Sequence, residues 1–358
     1  MELKSVLKKR VFFFEKRIQN SSRVFKKILI WFLIIKKKNK IGIGECNPLL
    51  EVTNLKKLSS YKKELFFLSE KINFLKKEET NFYRPYISFS SILFGLEQAL
   101  FGLKKGFPIL YNSEFTDGKK GIPINGLIWI SSLKEIEKEI KKKIIQGFLF
   151  LKIKINPKIF LHKGFFLEKI KKKYPNVKIS LDANGSFEKK DFFSFIKKTK
   201  NLDIIHSIEQ PIKPGNFKDL IEVCRESNIP IALDEELINI KDLEMKKIFL
   251  DIINPNYIVL KPSVCGGFSG TKEWIEIANE RKIGWWISSS LESHIGINSI
   301  SQWLFHLEKK ILYNNNSSRG LHGLNIGHFH NDFLSPLIVK KGSIWYNPLK
   351  KWKIKNHI

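Results

Sequence analysis

Apolar and polar positions change rhythm near residue 120. Before it, Val11-Phe-Phe-Phe14, Val24 to Ile35 and Lys40 to Cys46 are apolar-rich runs divided by polar turns, and Ile41-Gly-Ile-Gly-Glu-Cys46 stops at Asn47-Pro48. Such runs predict β-strands. Leu58 to Leu75 and Ile87 to Leu103 read as helices, which makes this first part an α+β module. From Pro123 onward, short apolar runs alternate with amphipathic segments. Ile122 to Ile128 reads as a strand. Ser132 and Glu135 form a capping box, and Leu133, Ile136, Ile140 and Ile144 then share one helix face. Further buried strands are predicted at Phe148 to Ile155, Val177 to Leu181, Ile204 to Ile208, Pro230 to Leu233, Tyr257 to Leu260 and Ile283 to Ile287. Parallel strands with crossover helices in this number point to a closed barrel rather than an open sheet.

What ends each strand carries the chemistry. Lys154, Asp182, Glu209, Asp234, Lys261 and Ser288 close successive apolar runs at intervals of 25 to 28 residues. One βα unit has about that length, so all six side chains arrive at the carboxyl ends of consecutive strands, where a barrel of this type places its active site. Lys152 and Lys154 alternate with Leu151, Ile153 and Ile155, so both lysines face the barrel interior, where an unpaired ammonium is costly. Lys261 sits between an apolar run and Pro262. Asp182, Glu209 and Asp234 bring three carboxylates together from neighbouring strands, and these cannot all stay ionised without a compensating cation. Hard oxygen ligands from separate strands suit Mg2+ better than zinc.

Other candidates are weaker. His328-Phe-His330 has strand-face spacing without a third ligand at a useful distance in sequence. His294 either lines the pocket or opens a helix. Cys265 has no neighbouring base and reads as packing. The three cysteines, Cys46, Cys224 and Cys265, are odd in number and far apart, which gives no disulfide framework and fits a reducing, cytoplasmic setting.

Charge adds less than its size suggests. The chain has 358 residues with 63 Lys+Arg against 35 Asp+Glu, a formal charge of +28, and 43% hydrophobic residues. That apolar fraction supports a large core and excludes disorder. Only seven of the basic residues are arginine, the better reader of phosphate and guanine, and the lysines are spread over the whole length. The same chain is rich in Ile, Phe and Asn, whose codons share the A and T bias of lysine. A solvated lysine surface follows, with no specific nucleic-acid partner expected. The longest apolar run, Ile28 to Ile35, has eight residues where a bilayer needs about 20, so no membrane span is expected. The basic start from Met1 to Arg10 is followed by too short an apolar run for a secretory signal.

The strand-end set, together with Phe94-Gly-Leu-Glu-Gln-Ala99, Leu181-Asp-Ala-Asn-Gly185, Ile208-Glu-Gln-Pro211, Leu233-Asp-Glu235, Leu260-Lys-Pro-Ser263, Ser288-Ser-Ser-Leu-Glu-Ser293 and Leu321-His-Gly-Leu324, resembles the muconate-lactonizing subgroup of the enolase superfamily over nearly the whole chain. That resemblance implies a (β/α)7β TIM-like barrel over residues 120–337. It also implies an α+β capping domain over residues 1–115, with a tail from about residue 338 to 358 packing back on it. Gln19 to Arg23 would be the loop that shields the pocket. Asp182, Glu209 and Asp234 would hold Mg2+, with Mn2+ as a substitute. Lys154 would be the general base with Lys152 beside it, Lys261 would face the substrate from the other side, and Ser288, Ser289 and Arg23 would contact it. The implied reaction is loss of water from a small molecule, 2-succinyl-6-hydroxy-2,4-cyclohexadiene-1-carboxylate, by proton abstraction and enediolate stabilisation, to give o-succinylbenzoate for menaquinone synthesis. Racemisation of N-acylamino acids would use the same two lysines and metal. Two departures matter: Ser180 stands where certain members carry arginine, and the stretch from Gly323 to Asp332 lacks the Asp-x-Asp with which dipeptide epimerases hold a substrate ammonium.

Overall fold

The computed structural model describes residues 3–19, 24–52, 54–157, 164–199, 201–311 and 321–354. Strand β1 (Lys4–Gln19) pairs antiparallel with β2 (Val24–Lys37), which pairs antiparallel with β3 (Lys40–Cys46). The apolar pattern marks only Val11 to Phe14 of β1. The lysine-rich stretch before it joins the strand because its backbone pairs with β2 from Lys4↔Lys36 to Phe13↔Lys27, and ladder hydrogen bonds do not depend on side-chain polarity. Trp31, Leu33 and Ile35 of β2 pack against helices α1 (Leu55–Leu75) and α2 (Ser90–Lys105). The alternate residues Ile28, Ile30, Phe32 and Ile34 enter a second cluster with Phe12, Phe14, Ile295, Phe329 and Phe333. A sheet covered on both faces explains the unbroken apolar run of β2.

Glycines set the spacing between β3 and α2. A Cβ on Gly44 would stand 1.7 Å from the carbonyl oxygen of Gly95, and one on Gly42 1.7 Å from that of Ala99. Strand and helix backbones therefore touch directly, which only glycine permits.

The barrel is built from β5 (Gly126–Ile128), β6 (Phe150–Lys154), β7 (Lys178–Asp182), β8 (Ile205–Glu209), β9 (Ile231–Leu233), β10 (Tyr257–Leu260) and β11 (Gly284–Ile287). All pair in parallel, in sequence order. The crossover helices are α3 (Leu133–Ile145), α4 (Gly164–Lys173), α5 (Lys189–Thr199), α6 (Phe217–Glu226), α7 (Leu243–Ile253) and α8 (Gly267–Glu280), and α9 (His294–Ile311) follows β11. The capping box of Ser132 and Glu135 starts α3 as its sequence indicates. The two sheet edges meet at His322-Gly323, which bridges in parallel to Ile124 on one side and to Ser288 on the other. Gly323 N–H donates to the Ile287 carbonyl at 2.8 Å, and Asn125 N–H to that of His322 at 2.9 Å. This segment takes the place of an eighth strand, so the architecture is (β/α)7β.

The strand expected over Ile122 to Ile128 divides in two. Its first part, β4 (Ile122–Pro123), pairs antiparallel with β13 (Ser343–Tyr346), itself in a hairpin with β12 (Leu337–Lys340), while Gly126 to Ile128 enters the barrel. Beyond the hairpin, Trp352 reaches Phe107, with ring centroids 5.9 Å apart. Residues 328–331 run beside β1, with Glu15 N–H donating to the His328 carbonyl at 2.9 Å and His330 N–H to that of Phe13 at 3.2 Å. No helix among the described residues is long and apolar enough to cross a membrane.

Candidate active site

Register fixes the height of the functional side chains. Lys154 pairs with Asp182, and Asp182 with Glu209, on three neighbouring strands. Asp234, Lys261 and Ser288 are the first residues after β9, β10 and β11. All six, and Lys152 one layer below, are less than 9% exposed. The sequence-predicted set is therefore assembled at one end of the barrel.

The lysines and carboxylates are interleaved. The Lys152 ammonium donates to Glu209 at 2.5 Å and lies 3.0 Å from Asp182. Lys154 donates to Asp182 at 2.7 Å and to the Asn184 side-chain oxygen at 2.9 Å, and Lys261 pairs with Asp234. Burial opposes the charge on Lys152, but Asp182 and Glu209 outweigh it and raise its pKa. Lys261 is likewise raised against burial, chiefly by Asp234. Asp182 is held below the usual carboxylate range because Lys152 and Lys154 overcome its desolvation. Glu209 goes the other way, pushed up by burial and then by the charge of Asp182. Buried ion pairs of this kind are weak sources of stability, since desolvation cancels much of the attraction. A core built for stability alone gains little from them.

The donor set suits a hard divalent cation. Among the described residues no three His, Cys, Asp or Glu side chains stand close enough to share an ion as arranged. The Lys152 ammonium, seated between Asp182 and Glu209, already marks a position where positive charge is accommodated. Glu209 Oε2 is buried without a hydrogen-bond partner, an acceptor that a cation would satisfy.

Around the mouth, the charged side chains occupy one arc. Lys154 on β6, Asp182, Glu209, Asp234 and Lys261 follow strand order, and the remaining arc from β11 through His322-Gly323 to β5 presents Ser288, Asn325, Asn125, Leu127 and Trp129. A cleft lies over both arcs and is also lined by Phe25, Leu49 and Leu50 from the N-terminal part and by Glu235, Ser289 and Leu291. A Cβ on Gly323 would meet Ser288 Oγ at 2.5 Å, so glycine leaves room for that hydroxyl. Asn325 donates to Asn125 Oδ1 at 3.2 Å and Asn125 to the Leu321 carbonyl at 2.8 Å. No charged side chain lines this second arc among the described residues.

The wall from Ser288 to Leu291 is held from behind by residues that the strand-end pattern does not reveal. Leu291 has φ 63°, a left-handed conformation costly for a branched side chain, and Asn47 donates to its carbonyl and to that of Ser290, both at 3.2 Å. Glu292 accepts from Ser290 N–H at 2.5 Å and from Ser263 Oγ at 2.7 Å, tying this turn to the one after Lys261. Trp129 stands with its ring centroid 5.4 Å from the Lys154 ammonium. The motifs Asp182-Ala-Asn184, Asp234-Glu235 and Glu292-Ser293 contain several of these supporting residues, but spacing gives them no role by itself.

The three candidate histidines, His294, His328 and His330, fall outside the site. His294 opens α9, with its ring Nδ1 2.6 Å from the Phe333 carbonyl. His330 stacks on Phe13 and His328 lies edge-on behind Trp129, so the pair does not form a ligand set. Burial pushes the Cys265 thiol up to about 11, which leaves it unreactive. Ser180, beside Lys152 in register, accepts from Ser207 Oγ at 3.0 Å. Arg23 lies outside the described residues.

Residues 135–348 match the family model described as Enolase C-terminal domain-like. The chain belongs to the enolase superfamily. Within it, the chain is 39% identical over 218 residues to an o-succinylbenzoate synthase of Desulfotalea psychrophila, a stretch covering 60% of this chain and 59% of that protein. The structure of MenC from the same organism superposes with a TM-score of 0.74 at 28% identity, covering 96% of this chain and all of that one. A dipeptide epimerase of Enterococcus faecalis, solved with Mg and the dipeptide L-Leu-L-Tyr, superposes with a TM-score of 0.79 at 17% identity over 97% of each chain, a likeness of fold.

Proposed function

We propose that this chain is a Mg2+-dependent o-succinylbenzoate synthase, a cytoplasmic hydro-lyase of menaquinone biosynthesis that removes water from 2-succinyl-6-hydroxy-2,4-cyclohexadiene-1-carboxylate. The observation that carries this reading is the division of the barrel mouth, with two lysines flanking three carboxylates on one arc and an uncharged polar arc opposite. Asp182, Glu209 and Asp234 would hold the ion, which supplies positive charge for the substrate carboxylate as its α-carbon loses a proton.

Lys154 then takes the α-proton in its neutral form, and the resulting ammonium returns that proton to the departing hydroxyl on the same face, so water leaves and the ring becomes aromatic. Lys261, across the cleft from Lys154, keeps an ammonium against the enediolate. Lys152 stays between Asp182 and Glu209 as a fixed charge. Ser288 and Ser289, with Arg23, would contact the succinyl arm. The hydroxyl and amide groups of that arc can donate to the carboxylate of the succinyl arm, whereas no carboxylate among the described residues there would compensate a free ammonium. N-acylamino acid racemisation or dipeptide epimerisation on the same scaffold is the competing chemistry, the second in line with the relatives named as epimerases.

The test is turnover of the cyclohexadiene acid with Mg2+, followed by loss of diene absorbance and identification of the aromatic product, with a chelator control and Lys154→Ala. Metal-dependent aromatisation that drops at least about a thousandfold in Lys154→Ala is expected for loss of a general base whose proton also activates the leaving group. Full turnover by that variant would refute the role of Lys154. Absence of turnover by folded wild-type protein would shift the assignment to proton transfer on N-acylated amino acids.

A further inference from the structure

We infer that Glu235, through Asn184, is a positioning residue that aims the Lys154 amine into the cleft. This rests on the reading of Lys154 as the base. Asn184 follows β7 in a tight turn at φ +46° and receives the Lys154 hydrogen bond on Oδ1 at 2.9 Å. Its Nδ2 donates to Glu235 Oε1 at 2.8 Å, and its backbone N–H to Asp182 Oδ1 at 3.1 Å. Glu235 sits in the turn directly after Asp234 and also lines the cleft.

The logic is one of donors and acceptors. A carboxylate only accepts and an amine N–H only donates, so an amide placed between them satisfies both in a single orientation, oxygen toward Lys154 and nitrogen toward Glu235. Without Glu235 the amide is free to turn its NH2 group toward Lys154, where it would either oppose an N–H or donate to the lone pair that the base needs. The consequence falls on the base. A neutral lysine amine has two N–H bonds and one lone pair, and anchoring its N–H groups on Asn184 and Asp182 leaves the lone pair directed away from both. Asp182 is shared, because Lys152 also lies 3.0 Å from it and it is a proposed metal ligand. Among the described residues, the Asn184 side-chain oxygen accepts from Lys154 alone.

The experiment combines kinetics and crystallography on Glu235→Leu, Asn184→Gly, their double variant and the conservative Glu235→Gln. Glycine at 184 keeps the left-handed turn. The expected result is a loss of about 30-fold in kcat for each of the first two, with KM within about twofold, and no further loss in the double variant, because both act through one contact. Glu235→Gln, which still offers an oxygen to the Asn184 amide, is expected to restore kcat to within about fivefold of wild type. In crystals of Glu235→Leu, Lys154 Nζ and Asn184 Oδ1 should separate beyond hydrogen-bond distance. Multiplying losses in the double variant, a change confined to KM, or an intact Lys154–Asn184 contact in Glu235→Leu would each overturn the inference. Should wild-type protein fail to dehydrate the cyclohexadiene acid while that contact still depends on Glu235, the functional reading falls and the coupling stands.

Discussion

Glu45 joins the N-terminal sheet to the barrel, and its removal has a calculable cost. The side chain leaves the end of β3 and is fully buried. It accepts from Ser293 N–H at 3.0 Å, Ser293 Oγ at 2.5 Å and Gly296 N–H at 3.0 Å, so it caps α9 from another part of the chain. A helix N-terminus is a favourable place for a carboxylate. Burial and then the nearby Glu292 push the Glu45 carboxyl well up, so part of the capping energy is spent on desolvation. In Glu45→Ala the Ser293 hydroxyl can rotate to another partner, but two backbone N–H groups lose their acceptor. Each unsatisfied donor costs about 1–3 kcal/mol, and relief of the buried charge returns some of it, for a net loss of about 2–4 kcal/mol. Equilibrium urea unfolding at pH 7, followed by tryptophan fluorescence, measures this directly. With a urea slope of about 3 kcal/mol/M, the midpoint should fall by about 1 M. Glu45→Gln keeps one acceptor oxygen and should lose roughly half as much. An unchanged midpoint in Glu45→Ala would refute the reasoning, since it would mean that the barrel helix needs no cap from the N-terminal sheet.

Two further outcomes concern helix α2, which carries Gly95 and Glu97. Gly44→Ala places a methyl group 1.7 Å from the Gly95 carbonyl oxygen, so strand and helix must separate by more than an ångström, and a loss of about 3 kcal/mol or more in urea unfolding is expected; a loss below about 1 kcal/mol would show that α2 yields freely. Glu97 accepts from Phe268 N–H at 2.5 Å and Ser269 Oγ at 2.6 Å at the start of α8, and burial lifts its pKa to about 7 from an ordinary 4.5. The folded state then binds the extra proton between those values, so the contribution of Glu97 is fullest below about pH 4.5, declines as pH rises through 7 and is flat above, with a span of about 3 kcal/mol. Stability measured at pH 5 and pH 8 should fall more in wild type than in Glu97→Gln, and equal falls would remove Glu97 as the source.

How much of this was legible depends on what a linear pattern records. The six strand-end residues could be read because a βα unit has a nearly fixed length, so a functional layer in the barrel becomes a period in the chain. The close packing of β3 on α2 left its mark as Gly42, Gly44 and Gly95, but the glycines state only that something approaches, not what. The full length of β1 was illegible because backbone pairing with β2 recruits a lysine-rich stretch that no apolar pattern marks. The same holds for the division at Ile124-Asn125, where the partner that captures Ile122 is Ile344, more than two hundred residues away. Asn184 and Glu235 were visible as motif letters. Their pairing was not, because a hydrogen bond across 51 residues leaves no periodic trace.

The balance of charge in the mouth argues for the kind of ligand it takes. With all six groups charged, as before Lys154 gives up its proton and as a bound cation would hold Glu209, Lys152, Lys154 and Lys261 set against Asp182, Glu209 and Asp234 sum to zero, and all six side chains are nearly sealed from water. A divalent cation alone would leave two uncompensated positive charges in a low-dielectric setting, which is expensive. A substrate with two carboxylates cancels them, and the cyclohexadiene acid, with one on the ring and one on the succinyl arm, has that charge. A zwitterionic dipeptide brings a cation to an arc lined by Asn125, Asn325, Ser288 and Trp129, where no carboxylate among the described residues receives it. Glu235, the fourth carboxylate in the mouth, is pushed up to about 7 by burial and then by the charge of Asp234, so it adds less than a full negative charge at neutral pH. Dication and dianion therefore enter the site best as a pair, each compensating the desolvation that the other would suffer alone.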